Sequence, residues 1–423
     1  MKRLALAALL ALPGTANAAS CTGPVCNFAT LKPWFDRISD KAWFKASARA
    51  AHILQLGDSL TAGDAMTGGW RALLQARWSK VFRSDEGVGG RGVLPLGRPY
   101  DGYIAKGVTV TMSDGWQVAT TFGEGSATPR PPLGLSSYSL TPTRPGASVT
   151  LAADPGMAFN RFTLCGLAGP RAGQVVVRFY DEYGYGDETF DFARKAAAPL
   201  CLESPDIRTT NGFPPMSKVE LTVPGAPVTL TSWGFFSLGG VALSNLGVVG
   251  SQLQHFARTD DAVLAEELRV YQPDLIVLAF GTNEGFAPAF DAAGYEATLR
   301  GQIARLQRLV PKIPILLLGP PDALTRREDL REGAANCPTL PGVAPLFAPP
   351  RLDYVRAVQR KVAGDLDLAW WDWQARMGGP CSAQGWAMLG LMRTDYVHFR
   401  SAGGERIARL LQDDLDRAAR ETR

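Results

Sequence analysis

Leu275-Ile276-Val277-Leu278-Ala279-Phe280 is apolar at every position for the length of one strand and stops at Gly281. A strand with one wet face alternates. An unbroken apolar run of this length fits a strand covered on both sides, as in a parallel sheet. The pattern recurs along the chain. Ile53-Leu54-Gln55-Leu56 ends at Gly57, Val241-Ala242-Leu243 runs into a turn at Gly247–Gly250, and Ile315-Leu316-Leu317-Leu318 ends at Gly319. Leu366–Trp371 continues the series, interrupted by Asp367. Helical patterns fall between them, around Asp261–Tyr271, Ala292–Leu309 and Leu352–Ala363, and a last helix is expected from about Ala402 to Arg420. Strands and helices in alternation predict an α/β fold: a flavodoxin-like doubly wound parallel sheet with helices on both faces.

From about Gly107 to Val241 the helical period vanishes. Gly107–Met112, Ala147–Leu151, Gln174–Tyr180, Lys218–Val223 and Pro227–Thr231 alternate or run apolar at strand length, with turn signals such as Thr141-Pro142 and Pro224-Gly225 between them. Short strands so punctuated predict an antiparallel β-sandwich. The expected organisation is an α/β domain in two parts, 19–106 and 242–423, around an insertion at 107–241. Aromatics on an exposed face of the insertion, with Trp116, Tyr183 and Tyr185 as candidates, would stack on sugar rings. The ordinary fate of such residues is the sandwich core.

Met1-Lys2-Arg3 and the Leu/Ala run to Leu12, with Ala16-Asn17-Ala18 as a cleavage site, read as a signal peptide over 1–18. Pro13 and Gly14 interrupt the run before it could span a bilayer, and no transmembrane segment is expected later. The reading is export to the periplasm or the medium. Apolar residues are 46% of the chain, enough for a large core, and 44 Lys and Arg face 40 Asp and Glu. That balance, without a basic tract, excludes an electrostatic case for nucleic acid as a partner. Six cysteines in an exported chain favour disulfides; chain order suggests Cys21–Cys26, Cys165–Cys201 and Cys337–Cys381 out of 15 possible pairings. With three histidines and no Cys-x-x-Cys, no zinc site is expected.

Two short segments carry the chemistry. In Gly57-Asp58-Ser59, strand, tight turn and helix place a hydroxyl at the carboxyl end of a strand, where open α/β sheets bind ligands. A plain alternative is that Asp58 or Ser59 only caps the helix. Near the other end, Asp395 and His398 are three apart in Asp395-Tyr396-Val397-His398, so the carboxylate reaches one ring nitrogen and leaves the other for a hydroxyl. The alternative there is an Asp capping a turn beside an idle His. His52, inside the first strand, and His255, on a helical stretch without a nearby acid, fit less well as a base. Glu86-Gly87-Val88-Gly89-Gly90-Arg91-Gly92-Val93 is glycine-dense, but no strand precedes it and no Lys-Ser/Thr follows. It reads as a loop packed against other backbone, not as a nucleotide site.

Gly57-Asp58-Ser59-Leu60, Gly250, Gly281-Thr282-Asn283-Glu284 and Asp395–His398 together resemble, in order and strand-end context, the blocks of the SGNH/GDSL hydrolase superfamily. The resemblance implies a serine esterase needing no cofactor and no metal. Ser59 would be the nucleophile, His398 the general base and acid, and Asp395 its orienting partner. The oxyanion hole would come from the amides of Ser59 and Gly250 and the side chain of Asn283. Gly250 is preferred over Gly247 because it completes Asn245-x-Gly-x-x-Gly. The β-rich insertion, Ala369-Trp370-Trp371-Asp372-Trp373, and Gly319-Pro320-Pro321-Asp322-Ala323 are similar to the peptidoglycan O-acetylesterase type, which implies an O-acetylated polysaccharide as substrate. Leu60 departs from the histidine of that subgroup. The tryptophan tract has its own plain reading, a packed aromatic cluster at a strand end. A polysaccharide O-acetyltransferase, another extracellular carbohydrate esterase and a non-catalytic glycan-binding protein are the alternatives.

Overall fold

The computed structural model describes residues 21–39, 49–82, 89–98, 100–204, 215–237, 239–332, 337–338 and 344–422. The expected signal peptide, 1–18, lies outside them, as do residues 40–48 of the helix expected from about Thr30 to Ala50. The described part of that stretch includes the short helix Lys32–Arg37.

Five parallel strands lie side by side in the order Val241–Gly247, Ala51–Gly57, Leu275–Ala279, Ile315–Leu318 and Ala369–Trp371. Counted along the chain this is 2-1-3-4-5, the flavodoxin-like order expected from the sequence. The hairpin of Cys21–Thr22 and Val25–Cys26 adds an antiparallel edge, Val25–Cys26 pairing with Trp370–Trp371. The first three strands are buried at every position. Alternate residues serve two separate cores: Ile53, Leu243 and Val277 pack with Trp70, Leu74 and Leu411, while Leu54, Ala242 and Ile276 pack with Leu264, Ile303 and Val362. Helices Ala65–Phe82 and Ser401–Glu421 cover one face; Asp261–Tyr271, Ala292–Leu309 and Arg351–Asp365 cover the other. An apolar run without alternation is the signature of that double cover.

Two antiparallel sheets, of five and six strands, enclose a third core that includes Leu151, Phe162, Val177, Leu221 and Trp233. Antiparallel pairing starts earlier than alternation in the sequence reveals: Gly92–Leu94 already pairs with Thr229–Phe236. Three residues are too few to show a period. The described part of the glycine-dense stretch, from Gly89, is packed against backbone, since a Cβ at Gly89 would lie 2.2 Å from the Val241 carbonyl oxygen. Strand Gly184–Asp191 also escapes a periodicity reading, because it is a polar edge strand, hairpinned to Gln174–Asp181.

The sheets meet through two glutamates of helix Asp261–Tyr271. Glu267 is buried and accepts hydrogen bonds from the Leu135 amide and the hydroxyls of Thr231 and Ser232, and Glu266 accepts from the Cys201 amide. The three disulfides are Cys21–Cys26, Cys165–Cys201 and Cys337–Cys381, the pairs that chain order suggests. No helix among the described residues is long and apolar enough to cross a membrane.

Candidate active site

Strand register sets the site. Gly57 is level with Gly247 on one side and Ala279 on the other, so three adjacent strands end together. Ser59, Gly250 and Asn283 follow those ends by two, three and four residues. This is the point where strand order reverses, the place at which open α/β sheets leave a crevice. Within it the strand residues are buried while Ser59, Gly250, Asn283 and His398 are half-buried.

Ser59 opens the short helix Ser59–Ala62. Asp58 is its cap, its Oδ1 accepting from the Leu60 amide at 2.9 Å. The capping reading is thus correct for Asp58, and it leaves the Ser59 hydroxyl free to point elsewhere. Gly57 must lack a side chain, because a Cβ there would meet Thr61 Oγ1 at 2.2 Å and the Ala279 carbonyl at 2.6 Å. Burial pushes the Asp58 carboxyl up to about 6. Behind this turn, buried Asp64 is paired with Arg71 and Arg91, and Arg91 also binds Asn245, whose amide donates to the Thr61 carbonyl. That network holds the helix carrying Ser59 against strand Val241–Gly247.

His398 Nε2 lies 3.0 Å from Ser59 Oγ, across 339 positions of chain. Its Nδ1 lies 3.0 Å from Asp395 Oδ2. An ionised carboxylate only accepts, so the proton belongs on Nδ1 and Nε2 is left to accept from the serine hydroxyl. Asp395 Oδ1 takes the amides of Val397 and His398, closing the turn. Burial works to raise the Asp395 carboxyl, but hydrogen bonds from the His398 ring and these amides outweigh it and hold it at about 2. Phe399 anchors the segment from below, stacked on Trp373 with centroids 5.4 Å apart and edge-on to Trp386 at 5.8 Å. The tryptophan tract is therefore a packed cluster that borders the site. The Asp322 carboxylate, also buried, ties it further through Gln374 and the Ala383 amide.

The other two histidines are engaged elsewhere. His52 is buried, with Nδ1 on the Tyr271 carbonyl and Nε2 on Ser244 Oγ, and burial lowers its pKa to about 4. His255 accepts the Gln252 amide on Nδ1.

Gly250 has φ +76°, in the left-handed region that favours glycine, and its amide is in the loop after the strand. Gly247 instead ends the strand against the Ser59 turn: a Cβ there would lie 2.5 Å from the Asp58 carbonyl. Asn283 Nδ2 donates to the Ser251 carbonyl at 2.8 Å. A side-chain amide has two N–H groups, so one remains for a ligand. Phe122, Gln252 and Tyr100 also reach this loop and gave no sequence signal. Tyr100 donates to the Gly247 carbonyl, and Phe122 sits in a turn of the β-sheets. A cleft of about 640 Å³ runs along it, lined by Tyr100, Phe122, Glu124 and Val249. The arrangement can remove a proton from a serine hydroxyl and offer neutral donors to developing negative charge.

Comparison with known proteins fits this geometry. Residues 230–406 match the GDSL-like Lipase/Acylhydrolase family. A solved structure of a peptidoglycan O-acetylesterase is similar over 94% of this chain and 100% of its own, with 25% identity and a TM-score of 0.73. A family two carbohydrate esterase from Cellvibrio japonicus aligns over 74% of this chain and 98% of its own, at 15% identity and a TM-score of 0.28, a score that supports nothing further. No curated protein sequence matches the chain.

Proposed function

We propose that this chain is a carboxylic ester hydrolase of the GDSL type that removes O-acetyl groups from peptidoglycan through an acyl-enzyme. One observation carries the reading: the line of hydrogen-bonding atoms from Asp395 through His398 to Ser59. In this reading Ser59 Oγ passes its proton to His398 Nε2 and attacks the acetyl carbonyl. The resulting oxyanion takes hydrogen bonds from the amides of Ser59 and Gly250 and from Asn283. His398 then gives the proton to the departing sugar oxygen, and water activated by the same ring releases acetate.

The choice of substrate draws on the likeness to the peptidoglycan O-acetylesterase, which spans nearly all of this chain and includes the β-sheets. We read the sheets within 107–241 as an insertion that holds glycan. Tyr183 and Tyr185 support this, being 75% and 65% exposed on one hairpin, whereas Trp116 is packed on the sandwich core. Three disulfides and a signal-like start fit an exported enzyme, periplasmic or secreted.

The test is acetate release from O-acetylated peptidoglycan and from acetylated xylan. Peptidoglycan should be the better substrate, and Ser59→Ala should lose roughly a thousandfold or more in turnover. Equal rates on both glycans would remove the substrate assignment, and an active Ser59→Ala would remove the nucleophile.

A further inference from the structure

Phe122 comes from the turn between strands Trp116–Thr120 and Tyr138–Pro142, in a part of the chain that supplies none of the reacting groups. Its ring nevertheless fills the place a Gly250 side chain would take, Cε1 lying 2.8 Å from an ideal Cβ position there. The same ring stacks on the His255 imidazole, with centroids 4.3 Å apart and planes at 22°. His255 Nδ1 accepts the Gln252 amide at 2.9 Å, and Gln252 Nε2 donates to the Asn283 carbonyl at 3.2 Å. Asn283 then donates from its own side chain to Ser251, the neighbour of Gly250. Gly250 and Asn283 are thus cross-linked into one unit, and its outer cover is Phe122.

The cover is itself fixed. Thr120 and Thr121 donate their amides to the carbonyls of Gly125 and Ser137, and Arg258 donates to the Thr121 carbonyl from just beyond the His255 helix. Burial keeps the His255 ring neutral, with a pKa lowered to about 4, so its Nδ1 stays an acceptor at neutral pH.

We propose that Phe122 and His255 are positioning residues for the ester reaction, through which the β-sandwich holds the Gly250 and Asn283 donors in place. The inference rests on the reading of those two groups as the oxyanion hole. A glycine at positive φ has no side chain to restrain its peptide, and a donor that strays by a fraction of an ångström loses much of its effect on the transition state. A ring packed on the glycine from one side, and locked to the next residues by the His255–Gln252 bond, supplies the restraint. The rival role for Phe122, a sugar platform in the adjacent cleft, is separated by substrate size.

The experiment uses 4-nitrophenyl acetate, which is too small to span that cleft, with the full-length enzyme. Phe122→Ala should lower kcat about tenfold or more with KM changed less than about twofold, and Phe122→Tyr should restore it. His255→Ala should behave like Phe122→Ala, while His255→Asn, which keeps an acceptor near Nδ1, should recover most of the loss. In the double variant Phe122→Ala/Asn283→Ala the two losses should combine to less than their product, because both act through one donor unit. Wild-type kcat in Phe122→Ala, or fully multiplicative losses, would overturn the inference, as would a loss confined to KM on the polymer. Should Phe122→Ala fail to fold, the contrast between His255→Ala and His255→Asn decides. If Asn283→Ala alone keeps full turnover, the oxyanion-hole reading fails first; if it is slow while Phe122→Ala is fast, only the positioning role falls.

Discussion

The parallel sheet and the antiparallel sheets bury their apolar residues by different rules. Strands Ala51–Gly57, Val241–Gly247 and Leu275–Ala279 have no exposed position, whereas Ala147–Ala153 and Lys218–Val223 alternate between buried and half-buried. A sheet covered on both faces has only its strand ends to offer a ligand, and Ser59, Gly250 and Asn283 all follow such ends. The antiparallel sheets keep outer faces toward water, where Tyr185 and Tyr180 flank the Arg178 and Lys218 cations. The difference teaches where to look for chemistry and where to look for surface recognition. Phe122 is the exception, a residue of the second region placed in the first.

Breaking the Cys165–Cys201 bridge tests whether the two regions are separable in stability. It closes 36 residues between paired strands of one antiparallel sheet. Cys165→Ala/Cys201→Ala should cost about 4 kcal/mol of unfolding free energy. Denaturant melts should show this loss while small-ester turnover, measured well below the transition, stays within about twofold of wild type. A parallel fall in turnover would mean that the site depends on the whole sandwich.

Asn283→Ala should do the reverse. Loss of one oxyanion donor should slow kcat about a hundredfold or more, near 3 kcal/mol, on small and polymeric esters alike. Its thermal midpoint should hardly move, since Asn283 lies in the half-buried crevice and fills no core. Kinetics and calorimetry on one preparation would check both halves.

Smaller effects are expected at the exposed hairpin. Tyr183→Ala/Tyr185→Ala should leave small-ester kinetics unchanged and weaken co-sedimentation with insoluble peptidoglycan roughly tenfold, about 1.4 kcal/mol over two rings. Unaltered sedimentation would send the glycan to another face.

The finest distinction concerns pH. Burial pushes Glu284, beside Asn283, up to about 7 from an ordinary 4.5, and Asp58 up to about 6. For an acid whose folded pKa is raised, the folded state binds more protons than the unfolded chain between the two values, so stability falls as pH rises through that window. Those two carboxyls therefore pull the thermal midpoint down between about pH 4 and 7, opposed over much of that range by His52 and His255, whose pKa values burial lowers to about 4. Glu284→Gln keeps an acceptor for the Leu253 amide and, by removing one downward contribution, should tilt the slope upward from that of the wild type. An identical slope in the variant would assign the titration elsewhere.

Much of the fold was legible because its signals are local. An apolar run from Leu275 to Phe280 tells of cover on both faces without saying by what, and helices at Ala292–Leu309 and Arg351–Asp365 announce themselves by period. Gly57-Asp58-Ser59 and Asp395–His398 stood out because each packs its chemistry into a few positions. Strands such as Gly92–Leu94 and Gly184–Asp191 stayed hidden, being too short or too polar to carry a period. Phe122 was silent for another reason: an aromatic between Thr121 and Gly123 in a turn has no neighbour in sequence that explains it.

The amino-acid sequence by itself determined which segments are strands of a doubly wound sheet and which residue types could attack, accept a proton or steady an oxyanion. Only the tertiary structure decided that Ser59 and His398 meet at 3.0 Å and that a loop of the β-sandwich closes over Gly250. The physical reason is range. Hydrophobic period and capping act over a few residues, whereas a hydrogen bond across 339 positions exists only after strand order and register have brought the two ends to one crevice.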